Sequence, residues 1–404
     1  MYESAVPAHR ILVVGGSLGG LLAANVLLRA GHDVTLLEKS PGSLDGRGAG
    51  IVTHRGLLDA LRAAGAVVDE TLGVAVRTRV ALDAGGATVA RIAYPQLLTS
   101  WSRLYRLLRA ALPGERYRAG HEAVGLSQTA DGVRLSCRDG AVFEADLLVA
   151  SDGIRSAVRG VLAPQVQPRY AGYVAWRGVC EEAMLSRHTR ESLFDHFGFG
   201  LPDGEQVIGY PVAGAGNTTR AGERRYNFVW YRPADEAGAL RELMTDAAGV
   251  MHAGGIAPHK VSAHAVACMR EAAHARLAPQ WAEVIEKTAQ PFLQPIHDLM
   301  SERIAFGRVA LMGDAAFVAR PHVGMGVTKA GDDALALARA LAATADPVAA
   351  WQAFEAERLA PARAVVERAR RLGAYMEAAA APQRAPRDTL SVLNETAIDL
   401  AEAA

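Results

Sequence analysis

Only three cysteines occur in this 404-residue chain, and Cys137, Cys180 and Cys268 lie too far apart to form a CxxC pair. That spacing argues against a disulfide framework and a cysteine-based metal site, and it fits a reducing compartment. Net charge is lacking as well: 43 Lys and Arg balance 43 Asp and Glu. No global field therefore draws the chain to nucleic acid or to an acidic membrane. No apolar run reaches the roughly 20 residues that span a bilayer. The stretch 11–30 is broken by glycines and has neither the basic start nor the cleavage site of a secretory signal. These absences predict a cytoplasmic protein without metal, nucleic-acid or membrane partners.

What is present is a globular composition, 50% hydrophobic, in a chain long enough for two or three domains. Ile11, Leu12, Val13 and Val14 form a short apolar run that reads as a buried parallel strand. Residues 18–30 are Leu/Ala-rich and stop at Gly31, so they read as a helix. Residues 34–37 are a second buried strand. Between the first strand and the helix stands Gly15-Gly-Ser-Leu-Gly-Gly20. A dinucleotide turn needs glycine first for the tight bend, a small residue next so that the backbone can approach a pyrophosphate, and glycine third for helix–strand contact. Ser17 takes the middle place and still allows close approach. The N–H groups of the helix start, from Leu18 onward, face the anion. Glu38 ends the second strand, 18 residues after Gly20, where a carboxylate accepts ribose hydroxyls and repels a 2′-phosphate. Lys39 and Arg47 follow it and complete the expected nucleotide contacts.

Further along, residues 57–64 and 102–112 read as helices and 74–94 as sheet. Residues 138–141 form a hairpin turn and 147–150 a buried strand. Aromatics make up only 6% of the chain but gather between Tyr170 and Arg232, a stretch that reads as an antiparallel sheet. After Ala234 the chain turns helical, a strand returns at 308–312, and the tail is helical with a break at 381–386. The expected class is α/β with an α+β part. A discontinuous nucleotide domain spans 1–75, 98–165 and 296–345. A substrate domain spans 76–97 and 166–295, and a helical segment covers 346–404.

Two later sites separate the possible nucleotides. Asp152-Gly153 ends the strand 147–150, and Gly313-Asp314 ends another. Strand ends are where an α/β sheet binds ligands, and an acid there can hold the hydroxyl chain of an FAD ribityl group. Gly324, Met325 and Gly326 then open a helix whose N–H groups suit the anionic edge of a reduced flavin. A single Asp-Gly is usually only a turn; three glycine/acid sites in this order, each after a buried strand, point to FAD.

With these three motifs in order, the chain resembles the class A FAD-dependent aromatic hydroxylases. The likeness covers most of residues 8–370 and includes Gly48-Ala-Gly-Ile51, similar to that family's flavin-proximal loop. Tyr170-Ala-Gly-Tyr-Val-Ala-Trp-Arg-Gly178 and Arg320-Pro-His322 resemble the dihydroxypyridine-hydroxylase branch. Trp101 stands where many members carry an arginine, Phe317 where they carry a histidine, and Thr328 where they carry an asparagine. The resemblance implies a glutathione-reductase-like Rossmann FAD domain with an inserted antiparallel-sheet substrate domain and a helical tail. It also implies a reaction: NADH or NADPH, visiting transiently, reduces FAD; oxygen adds at C4a; an ionised hydroxylated aromatic or N-heteroaromatic ring takes the distal oxygen.

Such chemistry needs help with a hydroxyl proton and a dry pocket. His322, in the loop before the flavin-facing helix, is the first candidate; His196 and Tyr210, on the aromatic sheet, are the others. For each, the bland alternative is a histidine or tyrosine that merely fills core or surface. Arg177 could pair with an acidic substrate or simply be solvated, whereas Trp176 and Trp230 read as core. The tail could pack on its own FAD domain or on a second copy, leaving a homodimer as one expectation. The competing activities are a flavoprotein oxidase and, if no flavin binds, an NAD-dependent dehydrogenase.

Overall fold

The computed structural model describes residues 8–399 apart from 47, 49, 254 and 380–385. The apolar run that begins at Ile11 lies inside a six-stranded sheet. Its order is Ala305–Phe306, Val309–Leu311, Leu147–Ala150, Arg10–Val14, Asp33–Glu38 and Tyr117–Ala119. All neighbours are parallel except the edge strand Ala305–Phe306. The central strands are apolar at nearly every position because helices cover both faces. The helix Leu18–Arg29 crosses from the first strand to the second and packs against the helix Gly326–Ala343. The hairpin expected at 138–141 joins Val133–Cys137 to Val142–Ala145.

The second sheet has nine strands, in the order Phe317–Val318, Phe292–Met300, Arg169–Glu181, Arg225–Pro233, Gln206–Val212, His196–Gly200, Val74–Leu82, Thr88–Ser100 and Gly50–Val52. Most of its neighbours are antiparallel, but His196–Gly200 runs parallel to Val74–Leu82. Val74–Leu82 comes from much earlier in the chain, so no hairpin dictates its direction. The helix Arg187–Leu193 also interrupts the stretch expected to be all strand; Ser186 caps it by accepting the Thr189 N–H at 3.2 Å. The strands Thr88–Ser100 and Phe292–Met300 run through the expected domain boundaries at 97/98 and 295/296. Those boundaries therefore fall inside continuous hydrogen-bonded strands and not in linkers.

Both faces of this sheet are covered. Trp176, Phe228, Trp230 and Trp281 fill the face under the helices Ala263–Arg276 and Pro279–Glu286. Tyr173, Phe197, Tyr210 and Tyr231 fill the other. The tail helix Pro347–Gly373 buries Trp351, Phe354 and Val366 in the core of its own chain. That apolar stripe is thereby spent within one copy. No helix among the described residues is long and apolar enough to cross a membrane.

Candidate cofactor and substrate site

The glycine turn is shaped by close approach. Gly15 has φ +109° and donates its N–H to Leu37 O at 2.8 Å, folding the turn onto the second strand. A Cβ on Gly15 would strike the Ser151 carbonyl, and one on Gly20 would strike the Gly15 carbonyl oxygen. Both places tolerate only hydrogen. The Glu38 carboxylate accepts the Gly16 N–H at 2.7 Å and the Ser40 N–H at 2.8 Å, so it braces the turn while keeping lone pairs on both oxygens. Ser17 begins the helix without capping it through its hydroxyl. Leu18 buries its side chain in the core, so only its backbone faces the turn. Gly15, Ser17, Glu38, Lys39, Trp101 and Asp152 line a cavity of 240 Å³. Arg47 lies outside the described residues.

Asp152 stands across this cavity. Its Oδ2 accepts the Ala157 and Val158 N–H groups at 2.8 and 3.3 Å. Its Oδ1 is buried and has no partner among the described residues. Burial pushes the carboxyl pKa up. An acceptor left bare in this way calls for a hydroxyl donor, which a ribose or ribityl chain supplies. The collision-limited glycines, the bracing carboxylate and the bare Oδ1 together fit an FAD.

The Gly313-Asp314 turn is held by groups that sequence reasoning missed. Gly313, at φ +56°, donates its N–H to Asp333 Oδ2 at 2.9 Å. Asp333 is fully buried and takes the Arg358 guanidinium at 2.8 Å on its other oxygen. The buried Lys329 ammonium donates to Asp314 at 2.7 Å. A signal existed: Lys329, Asp333, Leu337 and Leu341 recur every four residues on the buried face of one helix. Gly324 has φ +66°, and a Cβ there would come within 2.9 Å of Ala397. Met325 packs its thioether with Val323, Val365 and Ala369, so any cofactor contact from it is through the backbone. Gly326 starts the helix with open space around it. Thr328 is hydrogen-bonded to His54 Nδ1 at 3.1 Å. Arg103 and Arg106 are engaged with Thr71 and Asp45, which leaves Trp101 at the cavity.

Strand alternation sorts the catalytic candidates. Tyr173, Tyr210 and Tyr231 share the face that meets the Gly50 loop and the turn Pro321–Val323. The Gly50 N–H donates to Asn227 Oδ1 at 2.9 Å, and a Cβ on Gly50 would strike the Tyr210 ring. His322 is 1% exposed; its Nε2 is 2.8 Å from the Tyr173 hydroxyl, and its ring centroid lies 4.2 Å from that of Tyr231. Burial, then the charges of Arg320 and Arg387, lower its pKa to about 3. Its Nδ1 and the Nδ2 of fully buried Asn227 have no partner among the described residues. Burial raises the Tyr210 pKa to about 12, with the Arg177 charge opposing. His196 does not join this group. Phe197 and Phe199 occupy the inner face, so His196 points the other way, with Gly198 and Gly200 against Trp281, and bonds Thr78 Oγ1 at 2.6 Å. It is therefore corrected to a half-buried structural residue. Trp176 and Trp230 are core, as expected.

A family profile described as FAD binding domain-like matches residues 170–298. The chain is 33% identical over 369 residues to the 2,6-dihydroxypyridine 3-monooxygenase of Paenarthrobacter nicotinovorans, covering 91% of each chain. It is 30% identical over 399 residues to the 3-amino-4-hydroxybenzoate 2-monooxygenase of Streptomyces cremeus, covering 94% of this chain and 90% of the other. Among solved structures, the 2,6-dihydroxypyridine-3-hydroxylase from Arthrobacter nicotinovorans superposes with a TM-score of 0.88 at 31% identity, over 96% of this chain and 97% of that one.

Proposed function

Since the chain belongs to the FAD-dependent aromatic monooxygenases, we propose that it hydroxylates an ionised, hydroxylated aromatic or N-heteroaromatic ring of the dihydroxypyridine kind. The observation that carries this reading is the pair of buried, unpartnered polar atoms, His322 Nδ1 and Asn227 Nδ2, on a tyrosine-lined face opposite the Gly50 loop. Bound FAD supplies the oxygen-activating redox chemistry, drawing on NADH or NADPH and O2. Gly15, Ser17, Leu18, Gly20, Glu38 and Lys39 would hold its nucleotide half, and Asp152, Asp314 and the backbone of Gly324–Gly326 the remainder. The residues 76–97 and 166–295 would carry the substrate. The three cysteines, all free thiols, suit a cytoplasmic setting.

The residues of the inner face divide the work. Burial keeps the Tyr173 hydroxyl protonated, so it donates a hydrogen bond to His322 Nε2 and the neutral ring carries its own hydrogen on Nδ1. A neutral imidazole then donates from Nδ1 to the oxygen of an ionised ring. It holds that anion without itself being charged, which makes it a substrate-holding group and not a proton relay. Asn227 Nδ2 is a second donor, and the Arg177 cation, which acts on both Tyr210 and Tyr231, favours the anionic ring electrostatically. Tyr210 remains protonated and orients rather than deprotonates. A second cavity of 420 Å³, lined by Arg155, Tyr170, Glu236, Arg241 and His297, shares Arg155 with the nucleotide cavity; its two arginines, partly offset by Glu236, suit the pyrophosphate of a transient NAD(P)H.

The test is a screen of hydroxypyridines and phenols with the yellow holoprotein. Oxygen uptake and NADH oxidation should rise with the right ring, and the product should gain one oxygen by mass. Stimulated NADH oxidation with only hydrogen peroxide as product, for every ring tried, refutes the hydroxylase reading.

A further inference from the structure

Arg79 is a cation with 0% exposure and no carboxylate partner among its hydrogen bonds. Its Nε and Nη2 reach Gln96 Oε1 at 3.1 and 2.8 Å. Its other bonds go to three carbonyls at the end of the helix Thr389–Glu395: Leu393, Thr396 at 2.6 Å and Ala397 at 2.8 Å. Its guanidinium lies 4.1 Å from the centre of the Tyr94 ring. Desolvation lowers its pKa to about 10, and the four acceptors together with the negative end of the helix offset part of that cost. Gln96 Nε2 also donates to Ala397 O at 3.0 Å, and Tyr94 OH accepts the Asp399 N–H at 3.0 Å. Arg79, Tyr94 and Gln96 thus clamp residues 393–399 onto the substrate sheet.

The clamped segment reaches both loops of the candidate site. The Ala397 N–H donates to His322 O at 2.8 Å. The Ala397 methyl lies where a Cβ on Gly324 would collide. Asp399 Oδ2 accepts the Arg55 N–H at 2.7 Å, at the start of the helix that follows the Gly50–Val52 strand. Leu393 and Ala397 pack into the same apolar cluster as Val52, Phe197 and Tyr210. Ala397 is held at φ +50°, unusual for a residue with a side chain, so surrounding contacts impose that conformation.

We propose that Arg79 is a positioning residue: it holds residues 393–399 as one wall of the aromatic pocket and thereby fixes the His322–Gly324 turn. This rests on reading the inner sheet face as the substrate site. A loosened wall admits water and lets the turn drift. Oxygen activated at the expense of NADH then leaves without reaching the ring: NADH, a proton and O2 give NAD⁺ and hydrogen peroxide, so electrons balance without any product.

The experiment compares the FAD-loaded wild type with Arg79→Ala, Arg79→Lys and a chain ending at Asp388. Without substrate, amide exchange in residues 322–326 should quicken at least tenfold in Arg79→Ala and in the shortened chain. With substrate, KM should rise at least tenfold and the peroxide fraction severalfold, with a smaller change in kcat. Methylguanidinium should restore coupling in Arg79→Ala, and Arg79→Lys should fall between the two. Unchanged exchange in the shortened chain overturns the proposal, since that variant removes the wall even if Arg79→Ala fails to fold. Unchanged KM and coupling overturn it as well. Faster exchange in a protein whose wild type accepts no ring would instead refute the hydroxylase reading and leave the clamp standing.

Discussion

Replacing His322 by Asn should flatten the acid limb of the protein's stability. The folded chain holds this imidazole neutral down to about pH 3, whereas an unfolded histidine titrates near about 6.5. Between those values the unfolded state binds the extra proton, so stability is complete above about pH 6.5 and falls as pH drops toward 3. Each pH unit in that window costs about 1.4 kcal/mol, so the contribution at pH 5.0 is a loss of about 2 kcal/mol. The His322→Asn variant lacks it, while His54, also buried and shifted down, cancels between the two proteins. Urea unfolding of FAD-loaded wild type and variant at pH 7.5 and 5.0 gives the comparison. The wild type should lose about 2 kcal/mol more than the variant. Parallel losses, within about 0.5 kcal/mol, would mean that the folded imidazole takes a proton near its ordinary pH. That would remove the neutral-donor role assigned to it.

Other outcomes follow from the same geometry. Gly20→Ala places a methyl on the Gly15 carbonyl; FAD retention, read from the flavin absorbance of the purified protein, should weaken by at least about tenfold, or ~1.4 kcal/mol. Asp333→Asn leaves the largely buried Arg358 without its closest carboxylate and should cost roughly 3–5 kcal/mol in denaturant unfolding. Tyr210→Phe should raise KM but leave the shape of the kcat/KM profile unchanged between pH 7 and 10, because burial already keeps this hydroxyl protonated up to about pH 12. A lost alkaline limb in that variant would contradict the orienting role.

The nucleotide end of the molecule was legible because its determinants are local. Gly15, Gly20 and Glu38 answer to two adjacent strands, one turn and one helix, and their spacing carries the geometry. The substrate end was less legible. A sheet covered on both faces has apolar residues at odd and even positions alike, so nothing in the stretch from Phe194 to Gly200 told which way His196 points. The parity is set by Trp281, which lies about eighty residues later. Arg79 was invisible for a related reason: an arginine in an alternating strand reads as solvent-facing, and its carbonyl partners are more than three hundred residues away. Lys329 and Asp333 were overlooked although their four-residue spacing put them on a buried face. Charged residues among alanines suggest a wet surface until a partner such as Asp314 or Arg358 is in view.

The nine-stranded sheet begins at Gly50–Val52 and ends at Phe317–Val318. Its two edge strands are therefore the segments that lead into the Gly50 loop and toward His322. At about 4.8 Å per strand, these edges are joined by an unbroken hydrogen-bonded span of roughly 40 Å. The aromatic platform is therefore tied through its own margins to the segments beside the Gly50 loop and His322. Mechanically it behaves as a fixed bench and not as a hinged jaw. In such an architecture side chains on the bench, at positions such as Tyr210, Asn227 and Tyr231, can be exchanged without altering the hydrogen-bonded frame that carries them.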